Sequence, residues 1–323
     1  MFFVLFRVFN KDLTKIPRNN SLLAKEVLYI LNDQFYKLRV IMIVLEKIIK
    51  KIGQGRFFST LFIKFINILI DKKILDLKLK TLIFLNLTTR PHYLYCLYYS
   101  AILAKKLGIH KISVIEFGVA GGSGILFLQN YQKKIFNETG VEIEIYGFDL
   151  GDGLTKPKDY RDLPYWFKEN LYVMDKEKLN SKIKKAKLII GDVKSTIKDF
   201  FKENNLSPIG AIFNDLDYYS STKDSFEIFK DNENYYLPRI FCYFDDVIGN
   251  EEEMYGEFTG ELLAIKEFNN ENKNKKIILN RNLISGNFMY RYKIYHYHNF
   301  EHKDYNKFLF EDEQSKLLEG LKI

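Results

Sequence analysis

The feature that most constrains the fold is a β-branched apolar run that leads directly into a glycine-dense turn, Val114-Ile115-Glu116-Phe117-Gly118-Val119-Ala120-Gly121-Gly122-Ser123-Gly124. Such a run predicts a buried strand that stops at a tight loop, where the backbone comes too close to a ligand for any Cβ. The spacing is E-x-G-x-x-x-G and not the G-x-G-x-x-G of a dinucleotide fold. We interpret the loop as the functional site, although a plain strand-to-helix turn also uses glycines in this way.

Four later strand-like runs also end at carboxylates. The run 141–149 ends with Asp149, and the run 187–191 is followed by Asp192. The run 209–214 is followed by Asp215, and the run 239–244 is followed by Asp245 and Asp246. Ligands bind beyond the carboxyl ends of the strands in a doubly wound sheet, so these acids are expected to gather at one edge. Singly, each acid is also a usual helix N-cap. The pattern predicts an α/β fold with a Rossmann-like doubly wound sheet of seven strands, the last two at 276–281 and 287–297 as an antiparallel pair.

The first third of the chain differs from the rest in charge. Residues 1–110 carry 19 Lys or Arg against 6 Asp or Glu, in a chain of 323 residues with a net charge of +8. Helices are expected at 21–52, 57–70 and 91–107. We therefore divide the chain into a basic helical region, 1–88, and a domain at 89–323. The basic helices suit a surface of anionic lipid or a polyanionic substrate, or they form a partner helix or lid whose lysines are solvated.

Cysteine use and hydropathy indicate the compartment. Cys96 and Cys242 are far apart and form no C-x-x-C motif, so a disulfide framework or zinc site is not expected. The opening run 1–7 is too short for a secretory signal, and the longest apolar stretch, 57–70, is below the length of a membrane span. We expect a soluble, cytoplasmic protein, with membrane association through the N-terminal region left open.

The glycine loop carries the first resemblance to a known family. Glu116, Gly118 and Gly122 resemble the first motif of class I S-adenosylmethionine-dependent methyltransferases. The resemblance implies S-adenosylmethionine as the cofactor. Asp149, at the tip of the second strand, is placed to accept hydrogen bonds from ribose hydroxyls.

A second group of acids suits a metal ion. Asp215, Asp245 and Asp246 offer three hard oxygen donors from strand ends, which are the ligands that Mg²⁺ prefers. Without a cation such clustered carboxylates repel each other, and at least one is pushed toward protonation. An alcohol is a poor nucleophile while it keeps its proton, so methyl transfer to oxygen requires a base or a metal.

The stretch 213–222, F-N-D-L-D-Y-Y-S-S-T, makes the resemblance more specific. Together with Asp245-Asp246 it resembles the D-x-D-x-Y-x-S-T and D-D signature of the macrocin O-methyltransferase family, which modifies deoxysugars on macrolides. The resemblance covers about Thr89 to Tyr297. It implies that Asp215, Asp245 and Asp246 are magnesium ligands that grip vicinal sugar hydroxyls. It also implies a cofactor pocket that includes Glu116, Gly118, Asp149 and Asp192.

The general base stays open at this stage. Catechol O-methyltransferase has a lysine three residues after the first metal ligand, where this chain has Tyr218. Asp215 and Asp217 are the catalytic candidates, and His296 or His298 on the last strand are weaker ones.

The predicted reaction is O-methylation of a sugar hydroxyl on a nucleotide sugar, polysaccharide or glycosylated metabolite. One alternative is a non-catalytic scaffold that binds S-adenosylmethionine or a nucleotide, and the three retained acids argue against it. Another is a methyltransferase that binds RNA through the basic N-terminal region. Nucleic acid is otherwise not expected, because the Pro-Pro turn of amine methyltransferases is absent after strand four. The insertion at 159–166 either shapes the acceptor pocket or packs its aromatic residues over the sheet edge, and a homo-oligomer stays open.

Overall fold

The structure is a computed structural model, and it describes residues 77–203, 206–230, 233–283, 289–310 and 314–315. The helices expected at 21–52 and 57–70 lie outside the described residues, as does nearly all of the basic region. The chain divides into two units, residues 1–77 with 87–89 and residues 78–86 with 90–323. All described helices and strands belong to the second unit. None of these helices is both long enough and apolar enough to cross a bilayer.

Strands and helices alternate along the second unit. The strands are β1 (Lys111–Phe117), β2 (Glu142–Asp149), β3 (Ala186–Ile190), β4 (Ile209–Asn214), β5 (Tyr236–Phe244), β6 (Lys275–Leu279) and β7 (Ile294–Asn299). The described α-helices are α1 (Leu79–Leu85), α2 (Pro91–Lys106), α3 (Ser123–Thr139), α4 (Lys176–Lys182), α5 (Val193–Glu203), α6 (Tyr219–Ser225) and α7 (Gly260–Glu271). The helix predicted at 91–107 is α2, which begins with a proline at its first position, where the missing N–H costs nothing.

The seven strands form one sheet in the order β3-β2-β1-β4-β5-β7-β6. Strands β1 to β5 are parallel, and β7 runs antiparallel to both of its neighbours. This confirms the predicted Rossmann-like sheet with an antiparallel last pair. Because β1 to β5 are parallel, their carboxyl ends meet at one side of the sheet, which we call the carboxyl edge. The acids that follow these strands therefore lie at the same edge, as predicted.

The bounds of the last pair differ from the prediction of 276–281 and 287–297. Strand β6 ends at Leu279 because Asn280 turns the chain, its side-chain oxygen accepting the N–H of Asn282 at 3.0 Å. Strand β7 begins only at Ile294, because residues 289–293 form a 3₁₀ turn. This later start places Lys293 just ahead of the strand.

The centre of the sheet is a dense apolar core. All six residues of β4 are buried, as expected for a parallel strand covered on both faces. Aromatic rings fill much of the space between sheet and helices, and the rings of Phe229 and Tyr297 stack with centroids 4.1 Å apart. Such packing gives the carboxyl edge a rigid support.

Candidate active site

The glycine loop between β1 and α3 owes its glycines to packing within the protein. Gly118 has φ +84°, and a Cβ there would lie 1.8 Å from the backbone oxygen of Asp215. A Cβ on Gly122, at φ +79°, would lie 2.2 Å from a methyl group of Leu179. The sequence reasoning assigned these glycines to close approach of a ligand, and the structure adds a second reason, which is packing inside the protein. Only Gly121, whose Cβ would meet nothing within 4 Å, leaves open space at the loop surface.

Asp149, at the end of β2, holds this loop in place. Its Oδ2 accepts the backbone N–H groups of Val119 and Ala120 at 2.8 Å each, and its Oδ1 accepts the N–H of Gly151 at 2.6 Å. Ala120 has φ +43°, a left-handed conformation that is costly for a residue with a Cβ. A carboxylate has about four lone-pair sites, so these bonds still leave room for a ribose hydroxyl. Asp149 thus shapes the loop, and its role toward ribose hydroxyls stays a prediction.

Glu116 lies beneath the loop and is buried. Its Oε1 accepts the hydroxyl of Tyr93 at 2.8 Å, whereas its Oε2 is buried without a hydrogen-bond partner among the described residues. Burial raises the pKa of Glu116 to about 7, against the hydrogen bond from Tyr93 and the charge of Arg90. A buried acceptor without a donor fits a ligand group that supplies an N–H or O–H, such as an ammonium or a hydroxyl.

Asp192 follows β3 and caps a helix. Its Oδ1 accepts the backbone N–H of Ser195 at 3.1 Å, in the first turn of α5. Asp192 lies at the same carboxyl edge as the other acids. Its capping role therefore does not conflict with the predicted place in the cofactor pocket.

The three predicted metal ligands come together. One carboxylate oxygen from each of Asp215, Asp245 and Asp246 can be chosen so that all three lie within 4.8 Å of one another. Sheet-like bonds fix the backbone there, since Asp215 N–H donates to Phe117 O at 2.9 Å and Asp245 N–H donates to Asn214 O at 3.0 Å. Three hard oxygen donors at this spacing fit Mg²⁺, with water and substrate oxygens as its remaining ligands.

The charges of this acid cluster are only partly balanced. Burial and the charges of Asp245 and Asp246 raise the pKa of Asp215 well above its usual range. Burial, followed by the charge of Asp245, also raises the pKa of Asp246, to about 6. Burial opposes ionisation of Asp245 as well, but the nearby Lys293 and the hydroxyl of Tyr243 outweigh it and lower the pKa of Asp245. A divalent cation would relieve the repulsion that remains.

Neighbouring residues hold the ligands in place. Tyr243 donates its hydroxyl to Asp245, and Lys293 donates to the same oxygen at 3.2 Å. Tyr255 donates to Asp246 Oδ1 at 2.8 Å. The buried Glu261, the second residue of α7, accepts the backbone N–H of Asp246 at 2.8 Å. Neither Lys293 nor Glu261 stands near the aspartates in sequence, and sequence reasoning missed both.

Asp217 occupies a constrained position beside the cluster. It has φ +60°, and its N–H donates to Asp246 Oδ2 at 3.2 Å. Burial and the charges of Asp246 and Asp215 raise the pKa of Asp217 to about 9. The next residue, Tyr218, turns away and donates its hydroxyl to Thr155 O at 2.9 Å. Asp217, rather than Tyr218, therefore lies beside the acid cluster.

The histidines of β7 are not near these acids. His296 and His298 pair with Phe241 and Arg239, which precede the last residue of β5 by three and five positions. His298 also contacts the hydroxyl of Tyr305, at 2.8 Å. The structure therefore removes both histidines from the candidates for the base.

A different histidine reaches the site. His92, in the first turn of α2, stacks on Tyr243 with ring centroids 4.6 Å apart. Burial and the charge of Arg90 lower the pKa of His92 to about 3, so the ring is neutral at pH 7. The sequence feature that could have indicated this residue is the polar and aromatic stretch Arg90-Pro91-His92-Tyr93 at the start of the predicted helix.

The insertion after β2 is anchored at the carboxyl edge. Buried Asp162 accepts the N–H of Ser220 at 2.8 Å, which joins the insertion to α6. Tyr165 donates its hydroxyl to Glu253 O at 2.7 Å, in the loop after β5. Leu163 and Phe167 pack on Tyr218, whereas three aromatic side chains of the insertion are exposed, Tyr160, Tyr165 and Trp166. Both readings of 159–166 thus keep support, because part of the segment packs and part stays open.

Comparison with known proteins finds solved structures that resemble this chain. No protein-family model matches the chain, and no curated protein matches its sequence. CalS11, a calicheamicin methyltransferase, is similar with a TM-score of 0.43 and 18% identity, over 77% of this chain and 95% of that chain. The O-methyltransferase NovP has a TM-score of 0.45 and 13% identity, over 65% of this chain and 80% of that chain. The methyltransferase MycE, in complex with Mg, SAH and mycinamycin VI, has a TM-score of 0.38 and 14% identity, over 71% of this chain and 56% of that chain. At these identities the likeness concerns the fold alone.

Proposed function

We propose that the protein is an S-adenosylmethionine-dependent O-methyltransferase that acts on a sugar hydroxyl with the assistance of Mg²⁺. The observation that carries the proposal is the contact between its two predicted subsites. The glycine loop packs at Gly118 directly on the backbone of Asp215, which also belongs to the acid cluster. A methyl donor in the loop and an acceptor at the metal would thus be neighbours, as transfer between them requires.

The cofactor would be held by residues of the first two strand ends. Glu116 supplies the buried acceptor, and Asp149 supplies a carboxylate for the ribose hydroxyls. Gly118 and Gly122 keep the loop turned back on the protein, and Gly121 leaves its outer surface open. Asp192 completes this edge at the end of β3.

The metal would be held by Asp215, Asp245 and Asp246, and when bound it would lower the pKa of a coordinated hydroxyl. The chain's part in the reaction is to orient the acceptor and take its proton. The acceptor oxygen forms a bond to the methyl carbon as the carbon–sulfur bond breaks, and the hydroxyl proton passes to a base. Asp217 is the first candidate for this base because it borders the ligands, and Asp215 is the second.

The sugar acceptor is the finer part of the proposal. It is supported by the D-x-D-x-Y-x-S-T and D-D signature, whose acids the structure brings together. Two adjacent hydroxyls of a sugar ring can fill neighbouring positions of an octahedral magnesium site.

The test combines cofactor binding with turnover. Calorimetry should show that S-adenosylhomocysteine binds, and methyl transfer from S-adenosylmethionine to a panel of nucleotide sugars should require Mg²⁺ and stop with chelator. Asp245→Asn should slow transfer by roughly a hundredfold or more while cofactor binding persists. Asp152→Asn is the matched control, an aspartate whose side chain is 77% exposed in a surface pair with Lys176. Turnover that survives both chelator and Asp245→Asn would contradict the metal role.

A further inference from the structure

The start of α3 is a place where an anion can bind. The helix is 17 residues long and begins directly after the glycine loop, with Gly122 at its N-cap, a residue that has no side chain to cap it. Backbone N–H groups in the first turn of a helix have no partner within the helix, and the helix dipole favours a negative charge beside them. A helix end of this kind accepts any small anion, so it does not by itself identify a ligand.

Arg90 brings a positive charge to the same helix end. Its guanidinium donates a hydrogen bond to Ser123 Oγ, on the first residue of α3, and its Cζ lies 4.8 Å from the centroid of the Tyr93 ring. A guanidinium presents planar N–H donors that match the two oxygens of a carboxylate. The contacts with Ser123 and Tyr93 hold the guanidinium at the start of the helix before any ligand binds.

Glu116 brings a negative charge to the same turn. A Cβ on Gly124, the second residue of α3, would lie 1.7 Å from Glu116 Oε1 and 2.8 Å from a ring carbon of Tyr93. The Tyr93 hydroxyl donates to Glu116 Oε1 at 2.8 Å, so one tyrosine contacts both the carboxylate and the Arg90 guanidinium. Glu116 is only 2% exposed, and its Oε2 has no hydrogen-bond partner among the described residues. A buried acceptor in this state indicates that a ligand group completes the site.

The two charges together narrow the choice of ligand. A simple anion at the start of α3 would meet the Glu116 carboxylate, and a simple cation would meet the Arg90 guanidinium. A ligand that carries an ammonium and a carboxylate on one carbon suits both groups, because each of its charges then lies beside the opposite charge of the protein. The α-amino acid end of S-adenosylmethionine has this pattern.

We propose that Arg90 is a cofactor-binding residue that holds the carboxylate of this amino acid end, while Glu116 Oε2 accepts its ammonium. The inference rests on the proposed function. The carboxylate would lie at the start of α3, where the N–H groups of the first turn support the same charge. The site therefore selects nucleosides that keep the whole amino acid end over analogues that have lost the carboxylate.

The experiment is calorimetry on the full-length protein with S-adenosylhomocysteine and with its decarboxylated analogue, which keeps the ammonium. The wild type should bind S-adenosylhomocysteine at least about tenfold more tightly, because the analogue loses a charge-assisted pair with the guanidinium. Arg90→Met should weaken binding of S-adenosylhomocysteine about tenfold and should not weaken binding of the analogue. Arg90→Lys keeps the charge without the planar donors and should recover part of the loss.

Two further variants separate the outcomes. Glu116→Gln should weaken binding of both nucleosides, since both carry the ammonium. Arg281→Met removes an exposed positive charge on the turn after β6, four strands from β1 in the sheet, and should change neither affinity. If the wild type binds the two nucleosides equally, or if Arg90→Met weakens both by the same factor, the contact between Arg90 and the carboxylate is overturned while the proposed cofactor stands. If the wild type binds neither nucleoside, the proposed function fails, and this inference fails with it.

Discussion

The Cβ position of Gly118 lies 1.8 Å from the carbonyl oxygen of Asp215. This relationship joins the loop predicted to bind the methyl donor to the first predicted metal ligand, with no side chain between them. Asp215 N–H also donates to Phe117 O, so the two segments are fixed by a hydrogen bond as well as by contact. The two proposed subsites are therefore one packed unit, and a change in either is expected to affect the other.

Gly118→Ala should destabilise the protein strongly. The new methyl group would overlap the backbone of Asp215, and alanine is also disfavoured at φ +84°. The combined cost of overpacking and backbone strain is about 2–5 kcal/mol of unfolding free energy. Urea denaturation measures it. Gly121→Ala is the matched control because its Cβ meets nothing within 4 Å, and equal destabilisation by both variants would contradict the packing role of Gly118.

Replacing Asp149 should loosen the glycine loop. Asp149→Ala removes the acceptor of three backbone N–H groups, those of Val119, Ala120 and Gly151. Bonds to a charged acceptor contribute about 1.5–3 kcal/mol each, and water can replace part of this at a partly exposed site. We expect a loss of about 2–4 kcal/mol in unfolding free energy and at least a tenfold weaker binding of S-adenosylhomocysteine by calorimetry. Asp152→Ala, which breaks only a surface pair, should change neither, and the same effect in both variants would contradict the assignment.

The succession of strands along the chain and the edge at which the acids collect could be predicted from sequence because both depend on local patterns. A β-branched run that ends at Asp215 or Asp149 defines the strand and its direction together. The start of β7 could not be predicted in this way, because apolar and aromatic residues are frequent on both sides of Lys293. Residues 289–293 form a 3₁₀ turn there, and pairing with β5 begins only at Ile294.

The partners of the acids were hidden from the sequence for a different reason. Lys293 and Glu261 reach Asp245 and Asp246 through the fold, from the turn before β7 and from α7, and no spacing links them to the aspartates. The same holds for His92, which arrives from α2. Residue types predicted a metal site, whereas the groups that hold its ligands depend on long-range packing.

The raised pKa of Glu116 predicts a pH dependence of stability. Its pKa is about 7 in the folded protein against an ordinary 4.5, so between these pH values the folded state keeps a proton that the unfolded state loses. The unfolding free energy should therefore fall as pH rises from about 4.5 to 7. Above pH 7 Glu116 is ionised in both states, and its contribution no longer changes with pH. Glu116→Gln removes this titration while its amide oxygen can still accept from Tyr93.

The stability of Glu116→Gln relative to wild type should thus improve by about 3 kcal/mol between pH 4.5 and pH 8. Urea denaturation of both proteins across this range, without cofactor, measures the difference. Glu142→Gln is the control, since that glutamate is exposed at the start of β2. A difference that does not change with pH would show that Glu116 is not a buried titrating group.

Lys293 should act as the counter-charge of the acid cluster in the metal-free protein. Its side chain is 17% exposed and donates to Asp245 Oδ1 at 3.2 Å, beside two further carboxylates. Lys293→Met leaves that charge uncompensated and should lower the unfolding free energy by about 1–2 kcal/mol, less than for a fully buried pair because the carboxylate is partly solvated. Mg²⁺ bound by the same acids would replace the missing positive charge, so the variant should gain more in melting temperature from Mg²⁺ than the wild type does. Lys266→Met, which breaks an exposed pair with Glu257, should show no such excess. If Mg²⁺ stabilises Lys293→Met and the wild type equally, then Lys293 and the metal do not neutralise the same acids.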